Sequence, residues 1–468
     1  MTETIEQGPT EGRRDERAGA PRGLMSVDAA QAQVLAAISR AMPTEEIATA
    51  DAFERILAAA VISRTALPPW DNSAMDGYAV QSADTAAATE SAPIRLTVIG
   101  EARAGALASV QLRPGTAIRI ATGAPLPTAA DAVVAVEETT PLDAAGAAGP
   151  RGRDAAGPIP AAVLVHERVA VGGSVRRRGN DLEEGATVLV AGTEMTAAAV
   201  ALAAGAGVSG VTVHRQPRVA VLATGDEVRS AGQPLGKAGI PDANGPGLRA
   251  LVRASGGIPI DLGVAVDRLD DVLARLRRGI AEADLVIVSG GVSVGPYDVV
   301  RTAFETVGRI DLWRVAVQPG KPFAFGTAER PLVCGRDHET DAGAPVLLFG
   351  LPGNPVSSFV TFELFVRPAI RRLAGRRTLT RPTDRAVLDE PVTKSLGRRG
   401  FQRVVAERGS AGEVRRDREG RVHVRLAGGQ GSHVLSSLAA ADALAVVPED
   451  VDGLPAGAEV TLWWLDHG

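Results

Sequence analysis

A short segment between Leu67 and Val80 concentrates polar side chains that could bind a ligand. Its two prolines and its glycine exclude a regular helix, and its apolar residues follow neither a two-residue nor a 3.6-residue period. The chain has four Trp and two Tyr, and one of each flanks the polar residues. These polar residues are Asp71, Asn72, Ser73 and Asp76. We interpret the segment as the structured loop of a binding site; a turn capped by Asp and Asn side chains is the alternative.

A glycine-rich turn follows a stretch that reads as a buried β-strand. It begins with Ser289, Gly290 and Gly291 and extends to Gly295. Because glycines let backbone N–H groups approach an anion, and a following helix adds partial positive charge, this turn could bind a phosphate or another oxyanion. It is neither a P-loop nor the dinucleotide-binding fingerprint, so a tight connection without a ligand stays open.

Acidic residues stand at the same ends of predicted strands. They are Asp226, Glu227, Asp267 and Asp298. Several carboxylates facing a phosphate would repel it unless a cation lay between them, and Mg²⁺ binds in this way, through a few carboxylates plus substrate phosphates. Each acid taken alone could be a helix cap or a solvated charge. Together they favour a site for a metal and a nucleotide.

Two turns rich in proline and glycine complete the candidate chemistry. Three of the 50 basic residues are lysines, so Lys321, inside the turn 318–322, is expected to serve as a compact point charge. Ser357 is predicted to open a helix after the turn 350–355, where its hydroxyl and free N–H groups can hold an oxyanion. Two simple β-turns are the alternative.

Composition restricts the class of protein. The 468 residues exceed one compact core, and about three domains follow as a prior. Six His and one Cys exclude a zinc cluster, and no nucleophile motif is present. A net charge of −5 indicates no nucleic-acid surface. No apolar run reaches the length of a membrane span. The single cysteine, Cys334, excludes an internal disulfide. We therefore expect a soluble, cytoplasmic protein.

The first half of the chain is predicted to hold helices and a small β-domain. Residues 1–23 are polar with little to bury and are predicted to be disordered. Ser26 is predicted to cap a first helix, and a second helix is expected over residues 48–61. Short β-rich runs alternate with turns over residues 94–136, and residues 141–161 read as an inserted loop.

From Pro217 onward, β-branched runs alternate with helical patterns. Strands are expected over residues 219–223, 258–266, 285–288 and 346–349, and helices over residues 247–254, 270–282, 299–307 and 357–373. This alternation predicts a parallel sheet with right-handed crossovers, in which ligands bind outside the carboxyl ends of the strands. The acids, the glycine-rich turn and the turn 350–355 all stand at such ends.

Residues from about 377 onward lack such helices and carry short strands, which predicts a small β-barrel or sandwich. The fold class is therefore α/β plus β, in a multidomain chain with a central three-layer α/β parallel-sheet domain. The predicted segments are a disordered tail (1–23), a helical and linker domain (24–64 and 176–215), an inserted β-rich domain (65–175), an α/β domain (216–375) and a C-terminal β-barrel (376–468).

Six motifs resemble, in order, those of the molybdopterin molybdotransferase family, which includes MoeA and the gephyrin E-domain. They are PPWDNSAMDGYA at 68–79, RIATGA at 119–124, ADAVV at 130–134, SGGVSVG at 289–295, PGKPFAFG at 319–326 and LPGNPVS at 351–357. The match runs from about residue 26 to the end of the chain. Several long motifs in register are far more specific than any single loop.

The resemblance implies an enzyme that inserts molybdate into adenylylated molybdopterin and releases AMP in a Mg²⁺-dependent reaction. It also implies an elongated homodimer, whose active cleft lies between the α/β domain of one subunit and the inserted β-domain of the other. Molybdopterin adenylyltransferase and the maturation factors of molybdoenzymes are the expected partners.

Carried over position by position, the resemblance also implies roles for individual residues. The catalytic set is Asp76, Thr122, Asp181, Glu227, Asp267 and Asp298, of which Glu227, Asp267 and Asp298 would hold Mg²⁺. The set for substrate and molybdate is Ser289, Gly290, Gly291, Lys321, Pro352, Pro355, Ser357, Arg398 and Ser432, with Arg403 as an alternative to Arg398. Trp70 and Tyr78 become packing residues that fix the Asp76 loop.

The chain departs from the family pattern at two places. The pattern has Lys where this chain has Gln318, which removes a cation, and commonly has Glu-Ala where this chain has Pro296 and Tyr297. Residues 141–161 and 335–345 are expected to be added loops away from the chemistry. The alternatives are the sibling adenylyltransferase, against which the additional domains argue, and a non-catalytic gephyrin-like scaffold, against which the strand-end acids argue.

Overall fold

The chain forms two compact units, residues 1–45 with 214–468, and residues 46–213. The computed structural model describes residues 24–106, 108–152, 157–291, 299–330 and 344–465. Several predictions fall outside the described residues; they concern the tail 1–23, residues 292–295 of the glycine-rich turn, Pro296, Tyr297, Asp298, Cys334 and most of the loop 335–345.

A six-stranded sheet forms the centre of the first unit. Its strands lie in the order Ile258–Ala265, Arg218–Thr224, Leu285–Ser289, Val346–Leu351, Pro322–Ala328 and Arg309–Arg314. The first four strands are parallel, as predicted, and the last two add an antiparallel edge. Helices cover the sheet at Asn244–Ala254, Leu269–Glu282, Val299–Val307 and, with a π-helical turn at Phe362–Val366, at Pro355–Thr361 and Arg367–Leu373.

Alternate side chains of the strands enter separate cores on the two faces of this sheet. Val219 and Val221 pack in one core, with residues of the helices Asn244–Ala254 and Pro355–Thr361. Ala220 and Leu222 pack in the other core, with the helices Leu269–Glu282 and Val299–Val307. A parallel sheet buried on both faces explains why its strands read as continuous apolar runs. The predicted three-layer α/β arrangement is confirmed.

The first predicted helix is present at Val27–Ala36, where the Ser26 hydroxyl accepts a hydrogen bond from the N–H of Ala29 (3.2 Å). Val27 and Val34 are buried in the same core as Val219. The helix therefore packs against the α/β layers. The boundaries of the five predicted segments stay predictions.

The C-terminal strands close into a barrel. Their order around the barrel is Arg399–Ala406, Val422–Leu426, Thr383–Leu388, Glu459–Trp464 and Ala443–Val447, which pairs again with Arg399–Ala406. The short strand Val317–Gln318 extends from the α/β layers and pairs with Arg399 and Gly400. The predicted β-barrel is confirmed, although the sequence did not indicate the strand Thr383–Leu388.

The second unit is built on a separate six-stranded sheet. Its strands lie in the order Ala132–Ala135, Gly77–Val80, Thr116–Ile120, Ile94–Ala102, Ala162–Val165 and Thr139–Leu142. The last two strands pair antiparallel, so the predicted loop insertion at 141–161 is mostly the connection between them. Short ladders join Thr44–Ala48 to Gly210–His214, Val61–Ile62 to Thr187–Leu189, and Asn72–Ser73 to Val175–Arg176, and one helix spans Ala197–Gly205.

The second predicted helix, over residues 48–61, is wrong. The segment contains a 3₁₀ turn at Thr49–Asp51, and Ile56 and Leu57 form β-bridges with Glu194 and Val213. Glu54 has a φ of +63°, a conformation that ends any right-handed helix. Pairing with distant strands has overridden the helix propensity of this alanine-rich stretch.

Within the described residues, no helix combines the length and the apolar character needed to cross a membrane.

Candidate active site

A cavity of about 590 Å³ lies at the carboxyl ends of the parallel strands in the first unit. Three strand ends and the turn before the helix Pro355–Thr361 form its wall. Among the lining residues are Thr224, Glu227, Asn244, Asp267, Ser289, Gly290, Gly291, Pro322, Pro352, Asn354, Pro355 and His433. We call it the strand-end cavity. Its position is where open α/β sheets bind their ligands.

Two glycines let the backbone cross closely above Thr224 in this cavity. Gly290 has a φ of +101° and Gly291 a φ of +62°, and a Cβ at Gly290 would clash with the carbonyl oxygen of Thr224. The Gly290 N–H donates to the Leu351 carbonyl (3.1 Å), so it is not available to an anion. Gly290 therefore shapes the predicted anion-binding turn but provides no free N–H group for an anion. The Thr224 hydroxyl is buried and has no hydrogen-bond partner among the described residues.

Ser289 joins three segments of the cavity wall through its hydroxyl. The hydroxyl accepts from Asn244 Nδ2 (2.8 Å) and contacts the Pro352 carbonyl (3.3 Å) and the Ser358 hydroxyl (3.2 Å). Asn244 also donates to the Gly353 carbonyl (2.7 Å). Ser289 was expected to contact the substrate. In the structure, its hydroxyl contacts other residues of the protein. Its observable role is to hold the strand ends together.

The acids of the cavity repel each other. Glu227 and Asp267 both line it, and Asp226 Oδ1 accepts a hydrogen bond from the Asp267 N–H (3.0 Å). Partial burial, and then the charges of Asp226 and Glu227, raise the pKa of Asp267 above its usual range. The structure therefore brings together two of the three predicted metal ligands; the third, Asp298, lies outside the described residues. A set of carboxylate oxygens is the donor chemistry that Mg²⁺ prefers.

A second cavity, of about 400 Å³, lies between the α/β layers and the barrel within the same unit. Its polar lining residues include Gln318, Lys321, Ser357, Arg398, Gln402, Gln430 and Ser432. We call it the anion pocket. Neither Lys321 nor Arg398 forms an ion pair or a side-chain hydrogen bond among the described residues. Two unpaired cations beside serine hydroxyls form a site suited to an oxyanion.

The sequence left open whether Arg398 or Arg403 contacts molybdate, and the two side chains lie in different environments. Arg398 lines the anion pocket, whereas the side chain of Arg403 is fully buried outside its lining. Arg403 donates to the Ser437 hydroxyl (2.8 Å) and to the carbonyls of Gly429 (3.0 Å) and Gly431 (3.2 Å). Because no carboxylate compensates this burial, the pKa of Arg403 falls to about 10. Arg403 holds the loop that carries Ser432 and is not itself exposed to a ligand.

The helix predicted to open at Ser357 begins two residues earlier, at Pro355, with Asn354 at the N-cap position. Asn354 Nδ2 donates to the Ser432 hydroxyl (3.0 Å), and the Val356 N–H donates to the Ser432 carbonyl (3.1 Å). Ser357 therefore lies in the first turn of the helix and is largely buried. These contacts join the helix start to the barrel loop. Pro352 and Pro355 line the strand-end cavity, and Ser357 and Ser432 line the anion pocket.

Two of the three predicted site residues of the second unit, Asp76 and Thr122, form a cluster. Asp76 Oδ1 accepts hydrogen bonds from the N–H (2.7 Å) and the hydroxyl (2.9 Å) of Thr122. A small cavity beside Asp76 is lined by Arg119 and Glu101, which form an ion pair (2.6 Å). Asp181 is exposed. The structure thus brings Asp76 and Thr122 together and shows no contact of either with the Asp181 carboxylate.

The residues that flank Asp76 behave differently from each other. Tyr78 is fully buried in the sheet, as predicted for a packing residue, whereas Trp70 is 46% exposed, and its packing role stays a prediction. Asp71 is occupied by the Arg178 N–H (2.8 Å) and the Arg177 side chain (2.6 Å), which lower its pKa. Asp71 therefore stabilises the loop, whereas Asp76 binds the Thr122 hydroxyl.

Asn244 and His433 are among the residues of the strand-end cavity that sequence reasoning missed. Asn244 begins the helix Asn244–Ala254. The prediction started this helix later, at residue 247, although proline is favoured in a first helical turn. His433 follows Ser432 directly, and no periodicity marks it.

The fold and the cavities are those of a multidomain α/β protein with one cavity at the carboxyl ends of its parallel strands and a second, cationic pocket beside a β-barrel. Matches to family models cover nearly the whole chain: the MoeA N-terminal region (domains I and II) at residues 25–207, a probable molybdopterin binding domain at 220–372 and the MoeA C-terminal region (domain IV) at 385–465.

Individual relatives agree with these matches. Molybdopterin molybdenumtransferase 2 of Mycobacterium tuberculosis (strain ATCC 25618 / H37Rv) is 36% identical over 439 residues, which cover 92% of this chain and 98% of the relative. Molybdopterin molybdenumtransferase of Haemophilus influenzae is 32% identical over 95% of this chain and 99% of its own. The crystal structure of the molybdopterin biosynthesis MoeA protein from Pyrococcus horikoshii OT3 is 27% identical, with a TM-score of 0.71, and covers 94% of this chain and 100% of that one.

The chain belongs to the molybdopterin molybdenumtransferase family, also called the MoeA family. The expected family and the expected enzyme class, a transferase of molybdenum cofactor biosynthesis, are confirmed.

Proposed function

We propose that this protein inserts molybdate into adenylylated molybdopterin and releases AMP. The observation that carries the proposal is the anion pocket, in which Lys321 and Arg398 are two cations without acidic partners. Molybdate is a tetrahedral dianion, so two unpaired cations match its charge. Pro322 lines both this pocket and the strand-end cavity, and residues of the segments 354–357 and 432–433 line one or the other, which supports the proposal of an oxyanion beside a ligand at the strand ends.

The strand-end cavity is proposed to hold the adenylylated molybdopterin. Its volume of about 590 Å³ is of the size that small-molecule and cofactor sites have. The unpartnered Thr224 hydroxyl supplies a polar group for a phosphate. Asn244, Ser289 and Gly290 keep the wall in shape through the contacts described above.

Mg²⁺ fits the acids of this cavity. Partial burial contributes most to the raised pKa of Asp267, and the charges of Asp226 and Glu227 add to it; a divalent cation would remove the part that is due to charge repulsion. Glu227 and Asp267 would hold the ion, with Asp298 as a further proposed ligand. When bound, Mg²⁺ would neutralise the phosphate charge of the substrate. Lys321, Arg398, Ser357 and Ser432 would orient molybdate.

The proposal includes a homodimer in a reducing, cytoplasmic compartment. Asp76 and Thr122 form a polar pair on a unit of their own, far in sequence from the strand ends. The family resemblance implies that this pair serves the cavity of a second copy. A reducing compartment suits the dithiolene thiols of the substrate, and the chain carries a single cysteine.

One assay tests the proposal. The purified protein is given adenylylated molybdopterin, Mg²⁺ and molybdate, and both AMP and active cofactor are measured. We expect AMP release that depends on molybdate and cofactor that activates a molybdoenzyme. Formation of adenylylated molybdopterin from ATP would instead indicate the sibling adenylyltransferase. Absence of both reactions would indicate a scaffold and contradict the proposal.

A further inference from the structure

The barrel loop that runs from Gly431 to His433 borders both cavities of the first unit. Gly431 and Ser432 line the anion pocket, and His433 lines the strand-end cavity. The loop is held in place at Ser432, whose hydroxyl accepts from Asn354 Nδ2 (3.0 Å) and whose carbonyl accepts from the Val356 N–H (3.1 Å). The backbone at His433 is therefore fixed where the two cavities adjoin.

The imidazole of His433 lies at this boundary. A Cβ at Gly431 would lie 2.9 Å from His433 Cε1 and 3.2 Å from its Nδ1, so the ring packs against the Gly431 backbone. The residue is half-buried, and its side chain forms no hydrogen bond or ion pair within the described residues. The ring nitrogens are therefore available to a ligand in the strand-end cavity.

His433 differs in chemistry from the other ionisable side chains that line the two cavities. The others are acids of the strand-end cavity, two of which are proposed to hold Mg²⁺, and strong bases of the anion pocket. They are Glu227, Asp242, Asp267, Lys321 and Arg398. Because an imidazole has an ordinary pKa of about 6.5, it can both accept and donate a proton near neutral pH. His433 is thus suited to proton transfer between ligands of the two cavities.

We propose that His433 is a catalytic residue that carries a proton from a dithiolene thiol of the substrate to an oxygen of molybdate. This inference rests on the proposed function. Molybdate and a dithiol together give a trioxomolybdenum centre bound through two sulfurs, with the charge of −2 unchanged, and one water. The two protons of that water come from the two thiols, so the reaction needs a path from sulfur to oxygen.

The proposed step begins when a nitrogen of His433 takes the proton of one thiol. The electron pair left on sulfur forms the Mo–S bond, and the Mo–O bond breaks with its pair remaining on oxygen. His433 then gives its proton to this oxygen, which leaves as water with the proton of the second thiol. Molybdenum keeps its oxidation state of +6, so no oxidant or reductant is required. General acid–base catalysis of this kind contributes about 10²–10⁴-fold to a rate.

Two substitutions of His433 remove proton transfer in different ways. His433→Ala leaves space that free imidazole can enter. His433→Gln keeps a side chain that forms hydrogen bonds but does not exchange protons near neutral pH. His423→Ala is the matched control, because it removes a barrel histidine that contacts Asp389 through Nδ1 (2.7 Å) and is absent from the lining of both cavities.

Single-turnover formation of active cofactor, with the full-length protein in excess over adenylylated molybdopterin, measures the effect, and thermal unfolding checks that each variant is folded. We expect both His433 variants to be about a hundredfold slower than the wild type, and imidazole to accelerate His433→Ala about tenfold or more. Imidazole should not accelerate His433→Gln, His423→Ala or the wild type. The Kd for molybdate, from isothermal titration, should change less than about threefold in every variant.

The outcomes distinguish this inference from the proposed function. If the wild type forms no cofactor from molybdate, the proposed function is wrong and the role of His433 falls with it. If the wild type is active and His433→Gln or His433→Ala keeps its rate, the proposed function stands and the role of His433 is wrong. A slow His433→Ala variant that imidazole does not accelerate would also overturn this role, because lost packing would then explain the slower reaction.

Discussion

Three arginines near the start of one barrel strand carry out three different tasks. Arg399 binds Asp28 through both terminal nitrogens (2.7 and 2.9 Å) and also binds Glu449, and these hydrogen bonds raise its pKa. Arg403 is buried against carbonyl oxygens. Arg398 has neither kind of partner, so its charge remains available to a ligand. Pairing and burial, rather than residue type, decide which arginine can bind an anion.

Substitution of the two neighbouring arginines should separate binding from stability. We expect Arg398→Met to raise the Kd for molybdate about tenfold or more and to leave the melting temperature unchanged, because a charge-assisted contact to the ligand is lost. Arg399→Met should lower the free energy of unfolding by about 1–2 kcal/mol and change the Kd little. Titration calorimetry and urea denaturation measure the two effects. Equal losses of affinity in both variants would contradict the assignment of Arg398.

The pKa of Asp267 leads to a prediction about pH. Because this pKa is raised in the folded protein, the folded state binds the proton more readily than the unfolded chain. Ionisation of Asp267 therefore costs stability, and this cost appears as the pH rises from the ordinary aspartate range through the raised value. Asp267→Asn should melt at a higher temperature than the wild type at pH 7, with the difference vanishing in acid.

Asp270→Asn is the control for this measurement. A hydrogen bond from Arg268 lowers the pKa of Asp270, so its ionised form is the favoured one in the folded protein. Its substitution should not raise the melting temperature at pH 7. Mg²⁺ should stabilise the wild type more than Asp267→Asn. If Asp267→Asn melts below the wild type at pH 7, the proposed repulsion among Asp226, Glu227 and Asp267 is wrong.

At the scale of elements, the sequence predicts the helices and strands that a local pattern determines. It does not predict elements that depend on pairing with residues far along the chain. The strands that begin at Arg218 and Leu285 are buried on both faces, so their apolar runs are unambiguous. The segment 48–61 has helix-forming alanines, but Ile56 and Leu57 pair with strands far along the chain. No short-range pattern could reveal those partners. The loop Gly429–Ser432 likewise depends on the burial of Arg403, which only the closed barrel produces.

The close crossing of Gly290 over Thr224 should tolerate no side chain. Gly290→Ala combines a clash with the Thr224 carbonyl and an unfavourable positive φ, so we expect it to lower the free energy of unfolding by about 1–3 kcal/mol and to abolish activity. Gly353→Ala is the control in the same cavity, because its Cβ would meet only an ordinary contact of 3.6 Å, with the Gly290 Cα. Urea denaturation compares the two variants, and equal stability would contradict the proposed need for glycine.

At the scale of the whole molecule, the first unit contains both cavities and the wall between them. The barrel is attached through the ladder of Val317–Gln318 with Arg399 and Gly400, and through the contacts of Ser432 with Asn354 and Val356. The sequence indicated the α/β layers and the barrel separately. It did not indicate that their junction forms the anion pocket, because that pocket exists only once both parts are folded together.

The Asp76 and Thr122 pair belongs to the other unit, and a mixed-dimer experiment tests whether it serves a second copy. Asp76→Ala and Asp267→Ala are each expected to be inactive when assembled with themselves. If a site takes Asp267 from one chain and Asp76 from its partner, a heterodimer of the two variants contains one site with both carboxylates and one with neither.

Random assembly at equal amounts makes half of the dimers heterodimers, so activity should recover to about a quarter of the wild type. Two different affinity tags purify the heterodimer, whose activity should reach about half. Inactive heterodimers would show that Asp76 and Asp267 act within the same chain, whereas an active Asp76→Ala dimer would show that Asp76 has no part in the reaction.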